Sequence, residues 1–299
     1  MTVDIVCDGL RFPEGPIALP NGDVLVVEIA RGALTRVSPR GGKTVVATVG
    51  GGPNGAALGP DGRCYICNNG GFQWIEREGR LFPGEQPENY SGGRIEAVDL
   101  ATGRVQVLYT QCDGRALRGP NDIVFDATGG FWFTDHGKTR ARERDRTGVF
   151  YARADGSSIR EVLFPMEGPN GIGLSPDETE LYVAETMPGR LWAYPVTGPG
   201  VVARERRLLA GIEGYYLYDS LAVDSGGNVC VATLINGGIS ILSPRGERAR
   251  FLPMPDVLTT NICFGGRDLR TAYVTLSTTG QLAKTTWDRP GHKLNFSGF

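Results

Sequence analysis

The sequence predicts an all-β protein, a six-bladed β-propeller with four antiparallel strands in each blade. A unit whose clearest copy is GPNGIGLSPDETELYVAETMPGRLWAYPV recurs six times along the chain. Five of the copies contain four short strand-like runs, separated by turn pairs such as Asn-Gly and Asp-Gly. No helical period of useful length interrupts them. Repeated four-stranded meanders are typical of propeller blades, whereas a β-sandwich does not explain six copies.

Each predicted strand is a short run of β-type residues between Gly, Pro or Asn. In the first five copies the predicted strands are 15–19, 23–28, 33–38 and 44–49; 55–58, 63–68, 94–99 and 105–110; 123–126, 131–135, 149–154 and 159–164; 172–174, 180–186, 190–196 and 204–209; 221–223, 228–233, 238–242 and 248–252. The regular spacing predicts that each copy forms one blade.

The sixth copy contains only three strand-like runs, at 262–264, 271–276 and 281–287. The apolar run at 2–7 near the N-terminus has no partner in its own copy. We therefore expect it to supply the outer strand of the last blade, which closes the ring and removes a sheet edge. The resulting prediction is a single propeller domain that spans 1–299.

Bulk composition limits the possible partners. The formal net charge is -2, whereas nucleic acids and membrane surfaces favour a basic face, so neither is expected as a partner. The N-terminal sequence lacks the pattern of a signal peptide, and no apolar run is long enough to span a membrane. We expect a cytoplasmic protein with six free cysteines, and Cys64 and Cys67 of the CxxC sequence are expected to be core residues.

Each copy begins with a side chain that carries a carboxylate or amide oxygen. In a meandering blade the innermost strand starts on one face, so these residues should surround one mouth of the central channel. Such oxygens suit Ca²⁺, Mg²⁺ or Mn²⁺. Alternatively, Asn and Asp form turns before each strand, but Glu is not a turn former. The residues are Glu14, Asn54, Asn121, Asn170, Asp219 and Asn261.

Two connections between the second and third strands of a copy are much longer than the others, at 69–93 and 136–147. Both should overhang the mouth of the channel that carries the leading residues, as a partial lid. Arg118, His136 and Tyr216 are expected at the same rim, where they are candidate substrate contacts. A rim histidine is more often a hydrogen-bonding wall residue than a catalytic one.

Five stretches resemble the senescence-marker-protein/gluconolactonase family, which includes luciferin-regenerating enzyme-like proteins and relatives of diisopropyl fluorophosphatase. They are FPEGP at 12–16, GPNG at 52–55, RGPNDIVFDATGGFWFTD at 118–135, GPNGIGLSPDETELYVAET at 168–186 and DSLAVDSGGNVCVAT at 219–233. The resemblance implies a six-bladed propeller with one divalent cation in its central channel.

The same resemblance implies the role of individual residues. It makes Glu14, Asn170 and Asp219 the protein ligands of the cation, with Asn121 as a fourth ligand or a substrate contact. It places Asn54 on the rim. Arg118 stands near a substrate-binding arginine of some members, but its spacing from Asn121 is offset by one. The expected cation is Ca²⁺, with Mg²⁺, Mn²⁺, Zn²⁺ and Fe²⁺ as alternatives.

The resemblance implies hydrolysis of a sugar lactone, a small-molecule substrate. A cation that keeps residual positive charge can polarise the ester carbonyl, and Asp219 is the first choice for accepting a proton from the attacking water, with Glu14 as the alternative. A phosphotriesterase or another hydrolase on the same metal site is a second possibility. A propeller that binds a ligand without catalysis is a third. The sequence does not address the oligomeric state.

Overall fold

The computed structural model describes residues 2–211 and 214–299, and within these ranges it contains β-strands and no helix. In chain order the strands are β1 (Asp4–Cys7), β2 (Pro13–Ala18), β3 (Val24–Glu28), β4 (Ala33–Val37), β5 (Lys43–Thr48), β6 (Pro53–Leu58), β7 (Cys64–Asn68), β8 (Trp74–Arg77), β9 (Arg80–Pro83), β10 (Arg94–Val98), β11 (Val105–Tyr109), β12 (Gln111–Cys112), β13 (Arg115–Ala116), β14 (Pro120–Phe125), β15 (Gly130–Asp135), β16 (Thr139–Arg140), β17 (Glu143–Arg144), β18 (Thr147–Arg153), β19 (Ile159–Met166), β20 (Pro169–Leu174), β21 (Glu180–Glu185), β22 (Arg190–Gly198), β23 (Val201–Val202), β24 (Arg207–Ala210), β25 (Leu217–Val223), β26 (Val229–Leu234), β27 (Gly238–Leu242), β28 (Arg248–Pro253), β29 (Thr259–Gly265), β30 (Thr271–Leu276) and β31 (Gln281–Thr286).

Six antiparallel sheets form the blades of a propeller. Their strand orders are β2-β3-β4-β5, β6-β7-β10-β11, β14-β15-β18-β19, β20-β21-β22-β24, β25-β26-β27-β28 and β29-β30-β31-β1. The innermost strands contact one another in sequence, β2 with β6, then β14, β20, β25 and β29, and β29 contacts β2 again. The predicted six-bladed architecture with a closed ring is therefore confirmed.

The N-terminal strand closes the ring as the sequence predicts. Asp4 of β1 pairs with Lys284 of β31, and Ile5 pairs with Ala283. The Thr285 hydroxyl adds a hydrogen bond of 2.8 Å to the carbonyl of Thr2. The last blade thus contains strands from both ends of the chain, and its outer strand β1 is paired with β31.

The innermost strands begin two to four residues earlier than predicted. β20, for example, starts at Pro169, so Asn170 lies inside the strand and not in a turn before it. The register of β20 shifts between Pro169 and Ile172, and the other five innermost strands have a similar irregularity beside their leading residue. Such bulges re-aim side chains, and here they occur where the chain enters the hub.

The two long connections contain hairpins that the sequence did not predict. The connection 69–93 carries β8 and β9, and the connection 136–147 carries β16 and β17. The fourth blade also differs from the prediction, because its outer strand β24 starts three residues later than expected and β23 pairs with β22 as an extra ribbon. These hairpins are short, and they lie outside the repeated unit that predicts the blades.

Apolar side chains fill the space between neighbouring blades. Tyr65 of blade 2 packs edge-on against Phe125 of blade 3, with 5.0 Å between ring centroids. Cys64 and Cys67 are buried and unpaired, as expected for core residues. In the described part of the chain, no helix is long and apolar enough to cross a membrane.

The C-terminal segment 288–299 crosses the mouth of the channel opposite the leading residues. The main-chain nitrogen of His292 donates to the carbonyl of Val223 at 2.8 Å, and the Asn295 amide donates to the carbonyl of Phe125 at 3.2 Å. Both carbonyls lie at the far end of innermost strands. The segment therefore covers this end of the channel.

Candidate metal centre

The six leading residues are all buried and lie on the six innermost strands. Because these strands contact one another around the ring, the residues surround one mouth of the channel. The convergence predicted for residues spread over most of the chain is present in the structure. They are Glu14 on β2, Asn54 on β6, Asn121 on β14, Asn170 on β20, Asp219 on β25 and Asn261 on β29.

Glycines allow the innermost strands to approach closely at this mouth. A Cβ atom on Gly15 would lie 2.7 Å from the carbonyl oxygen of Asn54. A Cβ atom on Gly171 would lie 2.5 Å from the carbonyl oxygen of Asp219. Both distances are too short for a side chain, so glycine is required after the leading residue where blades meet so tightly.

Glu14 is held in place by its neighbours in blades 6 and 1. Its Oε2 accepts hydrogen bonds from the side-chain amide of Asn261 at 2.9 Å and from the main-chain nitrogen of Gly15 at 3.0 Å. The Asn261 Oδ1 in turn accepts from the main-chain nitrogen of Ile262 at 2.8 Å. Asn261 therefore positions the carboxylate of Glu14 at the hub.

Asn170 is oriented through Thr186. The Asn170 Nδ2 donates to the Thr186 hydroxyl at 3.0 Å, and that hydroxyl donates to the carbonyl of Tyr218 at 2.8 Å. This chain of bonds fixes which end of the amide faces Thr186. The side-chain oxygen of Asn170 consequently faces away from Thr186, toward the buried hub.

Two amide oxygens at the hub lack a partner. Asn121 Oδ1 and Asn170 Oδ1 are buried, and neither accepts a hydrogen bond from any described residue. Buried polar atoms are nearly always paired, so such an atom requires an explanation. A cation bound between the two amides would supply the missing partner.

The carboxyl groups at the hub also lack positive partners. Burial and the nearby Glu14 carboxylate raise the pKa of Asp219 well above its usual range. Burial likewise raises the pKa of Glu14, and it raises that of Asp122, beneath them, to about 7. Among the described residues, no Lys, Arg or His lies within salt-bridge distance of these three carboxyl groups.

The donor set fits a hard divalent cation. It combines two buried carboxylates with amide oxygens, which are ligands that Ca²⁺ and Mg²⁺ prefer. The described residues contain no group of three or more His, Cys, Asp or Glu side chains suited to a metal. A metal at the hub would thus depend on the amides of Asn121 and Asn170 as well as on Glu14 and Asp219.

The predicted rim residues occupy different environments. The main-chain nitrogen of Arg118 donates to Asp135 Oδ2 at 2.7 Å, and its side chain is exposed. The Tyr216 ring stacks on Tyr218, with 6.2 Å between centroids and 19° between planes. Asn54 is buried in β6, beside the hub. All three lie on the side of the molecule where the innermost strands begin.

His136 lies in the same region, directly after β15. Burial and the neighbouring Arg144 guanidinium together lower the pKa of His136 to about 3, so the ring is neutral at physiological pH. Arg144 Nη2 lies 2.8 Å from His136 Nε2. A neutral ring that faces a guanidinium accepts at Nε2 and carries its proton on Nδ1.

The predicted partial lid consists of the two long connections. Lys138 is buried between them and donates to Asn69 Oδ1 at 3.1 Å and to the Gly71 carbonyl at 2.6 Å. Its ammonium lies 4.0 Å from the centroid of the Phe72 ring. The main-chain nitrogen of Leu81 reaches across to the carbonyl of Thr278 in blade 6. The two connections therefore pack against each other, and 69–93 extends to blade 6, while their overhang of the hub stays a prediction.

Several residues of this region were not singled out by the sequence. Asp122 follows Asn121 directly, so its place in a repeated unit was a usable signal. Thr186 and Arg144 had no comparable signal, since their contacts join separate parts of the chain. Lys138 is one of five basic residues in 136–147, and composition alone does not show which of them is buried.

Known proteins resemble most of this chain in sequence. The family model described as SMP-30/Gluconolactonase/LRE-like region matches residues 12–278. A gluconolactonase of Zymomonas mobilis subsp. mobilis is 26% identical over 306 residues, which cover 92% of this chain and 79% of that protein.

Solved structures of the same shape include two that cover nearly the whole chain. A gluconolactonase of Xanthomonas campestris superposes with a TM-score of 0.76 at 22% identity, covering 95% of this chain and 89% of that one. The calcium-binding protein regucalcin of Agrobacterium tumefaciens has a TM-score of 0.72 at 18% identity and covers 98% of each chain. These two likenesses support the fold. The family model spans most of the sequence, and the chain accordingly belongs to the SMP-30/gluconolactonase/LRE-like family.

Proposed function

We propose that this protein is a divalent-metal-dependent lactonase that opens a sugar lactone by hydrolysis. The observation that carries the proposal is the pair of buried, unpartnered amide oxygens of Asn121 and Asn170 beside the carboxyl groups of Glu14 and Asp219, which form no ion pair with any basic residue in the described ranges. The gluconolactonase of Zymomonas mobilis, similar along 92% of this chain, supports the choice of a lactone as substrate.

Glu14, Asn170 and Asp219 would hold the cation, with Asn121 as a fourth ligand or as a contact to the substrate. Ca²⁺ is the cation that we propose, since the donors are all oxygens; Mg²⁺, Mn²⁺, Zn²⁺ and Fe²⁺ are the other candidates. A cation in this place supplies Lewis acidity, which polarises the ester carbonyl and favours the negative charge that develops on its oxygen.

Asp219 is the proposed proton acceptor. Oε2 of Glu14 already accepts two hydrogen bonds, from Asn261 and Gly15, so that carboxylate is fixed by its surroundings. Asp219 would bind the cation through one oxygen and present the other to the attacking water. A proton taken from the attacking water would reside on Asp219 until the ring opens.

The rim residues and the lid complete the proposed site. Asn54, Arg118, His136 and Tyr216 are the residues that we propose would bind the lactone's hydroxyl groups. The long connections above them restrict the access of water, which strengthens polar interactions inside the site. The covered opposite end of the channel means that substrate would enter from the lid side. All six cysteines are free and buried, which agrees with a cytoplasmic location.

The proposal is tested by measuring acid release from D-glucono-δ-lactone in a pH-indicator assay. The protein is stripped with a chelator, and Ca²⁺, Mg²⁺, Mn²⁺ or Zn²⁺ is then restored separately. Activity that disappears on stripping and returns with a cation supports the lactonase. Hydrolysis of a phosphotriester such as paraoxon, without lactone hydrolysis, would point to the alternative hydrolase. A protein that binds the cation and turns over neither substrate would be a non-catalytic propeller.

A further inference from the structure

The connection 136–147 carries five basic and two acidic residues. Most of the basic side chains have identified partners. Lys138 is buried in the lid, Arg140 Nη2 pairs with Asp145 Oδ1 at 2.5 Å, and Arg146 Nε pairs with Glu167 Oε1 at 2.9 Å. Arg142 is exposed and forms no ion pair among the described residues. Arg144 differs from all four, because it is half-buried while no carboxylate of the described residues lies within 4.0 Å of its guanidinium, and the two nearby acids are engaged by other arginines.

The hydrogen bonds of Arg144 are incomplete. Its Nη2 contacts the uncharged His136 ring at 2.8 Å, which provides a dipole and no countercharge. Its Nε is buried and has no partner in the described structure. Its Nη1 also lacks a hydrogen bond but is not buried, so this end of the guanidinium is open to a ligand. A guanidinium that has lost part of its water without gaining a countercharge favours an anion.

Arg144 lies next to the segment that carries a proposed metal ligand. A Cβ atom on Gly168 would lie 2.4 Å from Arg144 Nη2, so the guanidinium rests directly against that glycine. The Gly168 carbonyl accepts a hydrogen bond from the main-chain nitrogen of Thr186 at 3.0 Å. Thr186 orients Asn170, two residues further along the chain. The open end of the guanidinium is thus near the rim of the candidate centre.

We infer that Arg144 binds an anionic substituent of the lactone, so that the preferred substrate carries a carboxylate or a phosphate group in addition to its ester. This inference rests on the proposed function. The neutral His136 ring acts as a positioning residue, since it accepts from Nη2 and leaves Nη1, which has no hydrogen bond to a described residue, for the ligand. A planar guanidinium recognises either anion through two parallel hydrogen bonds, a geometry that lysine does not reproduce.

Two lactones that differ in one charged group provide the test. D-glucaro-1,4-lactone carries a carboxylate where D-glucono-1,4-lactone carries a hydroxymethyl group, and 6-phospho-D-gluconolactone provides the phosphate. Wild-type protein is expected to prefer at least one anionic lactone by about 10- to 100-fold in kcat/KM. Arg144→Gln should abolish this preference while the neutral lactone retains most of its rate. Arg144→Lys should keep only part of it.

Arg142→Gln is the matched control, because Arg142 lies two residues away, is exposed and forms no ion pair with any described residue, so its removal releases no carboxylate near Arg144. It should leave the preference unchanged. Comparable rates for the neutral and both anionic lactones in the wild type would overturn the inference, as would an equal loss for all of them in Arg144→Gln. If no lactone is hydrolysed, the proposed function fails. Calorimetric titration with D-glucarate and inorganic phosphate then tests anion binding by Arg144 on its own. Binding that is unchanged in Arg144→Gln, or no binding to the wild type, overturns the inference.

Discussion

A neutral amide and a carboxylate affect a bound cation differently, because only the carboxylate cancels its charge. At this hub two carboxylates, Glu14 and Asp219, stand beside the amide oxygens of Asn121 and Asn170. Two carboxylates balance the formal charge of a divalent cation without exceeding it, so a cation held by this set would still act as a Lewis acid toward a substrate carbonyl. Amide ligands in place of further carboxylates would therefore leave the bound cation a stronger Lewis acid.

Asp219→Asn should retain the fold and much of the cation binding but lose the proton acceptor. We expect kcat to fall by about 10²- to 10⁴-fold, the usual contribution of general-base catalysis. The measurement is steady-state lactone hydrolysis, with the metal content of each preparation determined in parallel. Asp177→Asn, at an exposed turn on the opposite face, is the control and should remain fully active. A metal-loaded Asp219→Asn protein with normal turnover would exclude this role.

Hub residues at repeated positions could be predicted from the sequence, whereas the residues that orient them could not. Glu14 and Asn170 stand at the start of repeated units, so their convergence follows from the topology. Asn261 was expected only as a weaker member of that ring, and its bond to Glu14 comes from a partner 247 positions away. Thr186 has no repeated position, and only the packed structure shows that it orients Asn170.

At the scale of single elements, the innermost strands depend on glycine. Gly171→Ala would place a Cβ atom 2.5 Å from the main-chain oxygen of Asp219, and neither strand can move without disturbing the hub. We expect the free energy of unfolding to fall by about 1–3 kcal/mol, measured by urea denaturation. Gly198→Ala is the control, since no atom lies within 4 Å of its added Cβ. Its effect should stay within about 0.5 kcal/mol. Equal effects of the two variants would contradict this account.

The lid depends on one buried ammonium group. Lys138→Met leaves Asn69 Oδ1 and the Gly71 carbonyl without the donor that joins the two long connections. We expect faster amide hydrogen exchange across 69–93, measured by mass spectrometry, and a raised KM for the lactone. Exchange in β21 and β22, which Lys138 does not contact, serves as the internal control. Unchanged exchange in 69–93 would show that the lid is held by other contacts.

The strands of the blades were predictable because each repeats a pattern of apolar runs and turn pairs. The hairpins at Trp74–Arg77 and Arg80–Pro83 were not, since they occur in a single copy. The early start of the innermost strands was also missed. Pro169 has no main-chain N–H group to donate within a sheet, and the residues that follow it, Asn170 and Gly171, are not typical of strands. The sequence therefore does not identify this stretch as part of β20. In the folded protein this stretch is part of the strand because Pro169 pairs with Glu185 across a bulge.

At the scale of the whole molecule, the ring brings together residues that are distant in sequence and buries their carboxyl groups. The pKa of Asp122 is raised to about 7, and those of Glu14 and Asp219 are also raised, all primarily by burial. Because these pKa values are higher in the folded protein than in the unfolded chain, the protonated carboxyl groups stabilise the folded, metal-free protein at low pH. That contribution is lost as the pH rises from the unfolded-state pKa values, about 4, toward 7. A cation competes with the protons, so its binding should strengthen over the same range.

The stabilisation by Ca²⁺ should consequently increase with pH. We expect the rise in Tm on adding saturating Ca²⁺ to be larger at about pH 8 than at about pH 5.5, measured by differential scanning fluorimetry. The difference between samples with and without Ca²⁺ removes the contributions of His136 and Lys138, whose pKa values are lowered by burial. Asp219→Asn should flatten the dependence. A Ca²⁺ effect that is independent of pH would contradict the assignment of these carboxyl groups.

The most direct measurement is an anomalous difference map from a crystal soaked in Mn²⁺. The account predicts one strong peak at the hub, within about 2.0–2.6 Å of side-chain oxygens of Glu14, Asn170 and Asp219. A hub without a peak, or a peak bound by other residues, would contradict it.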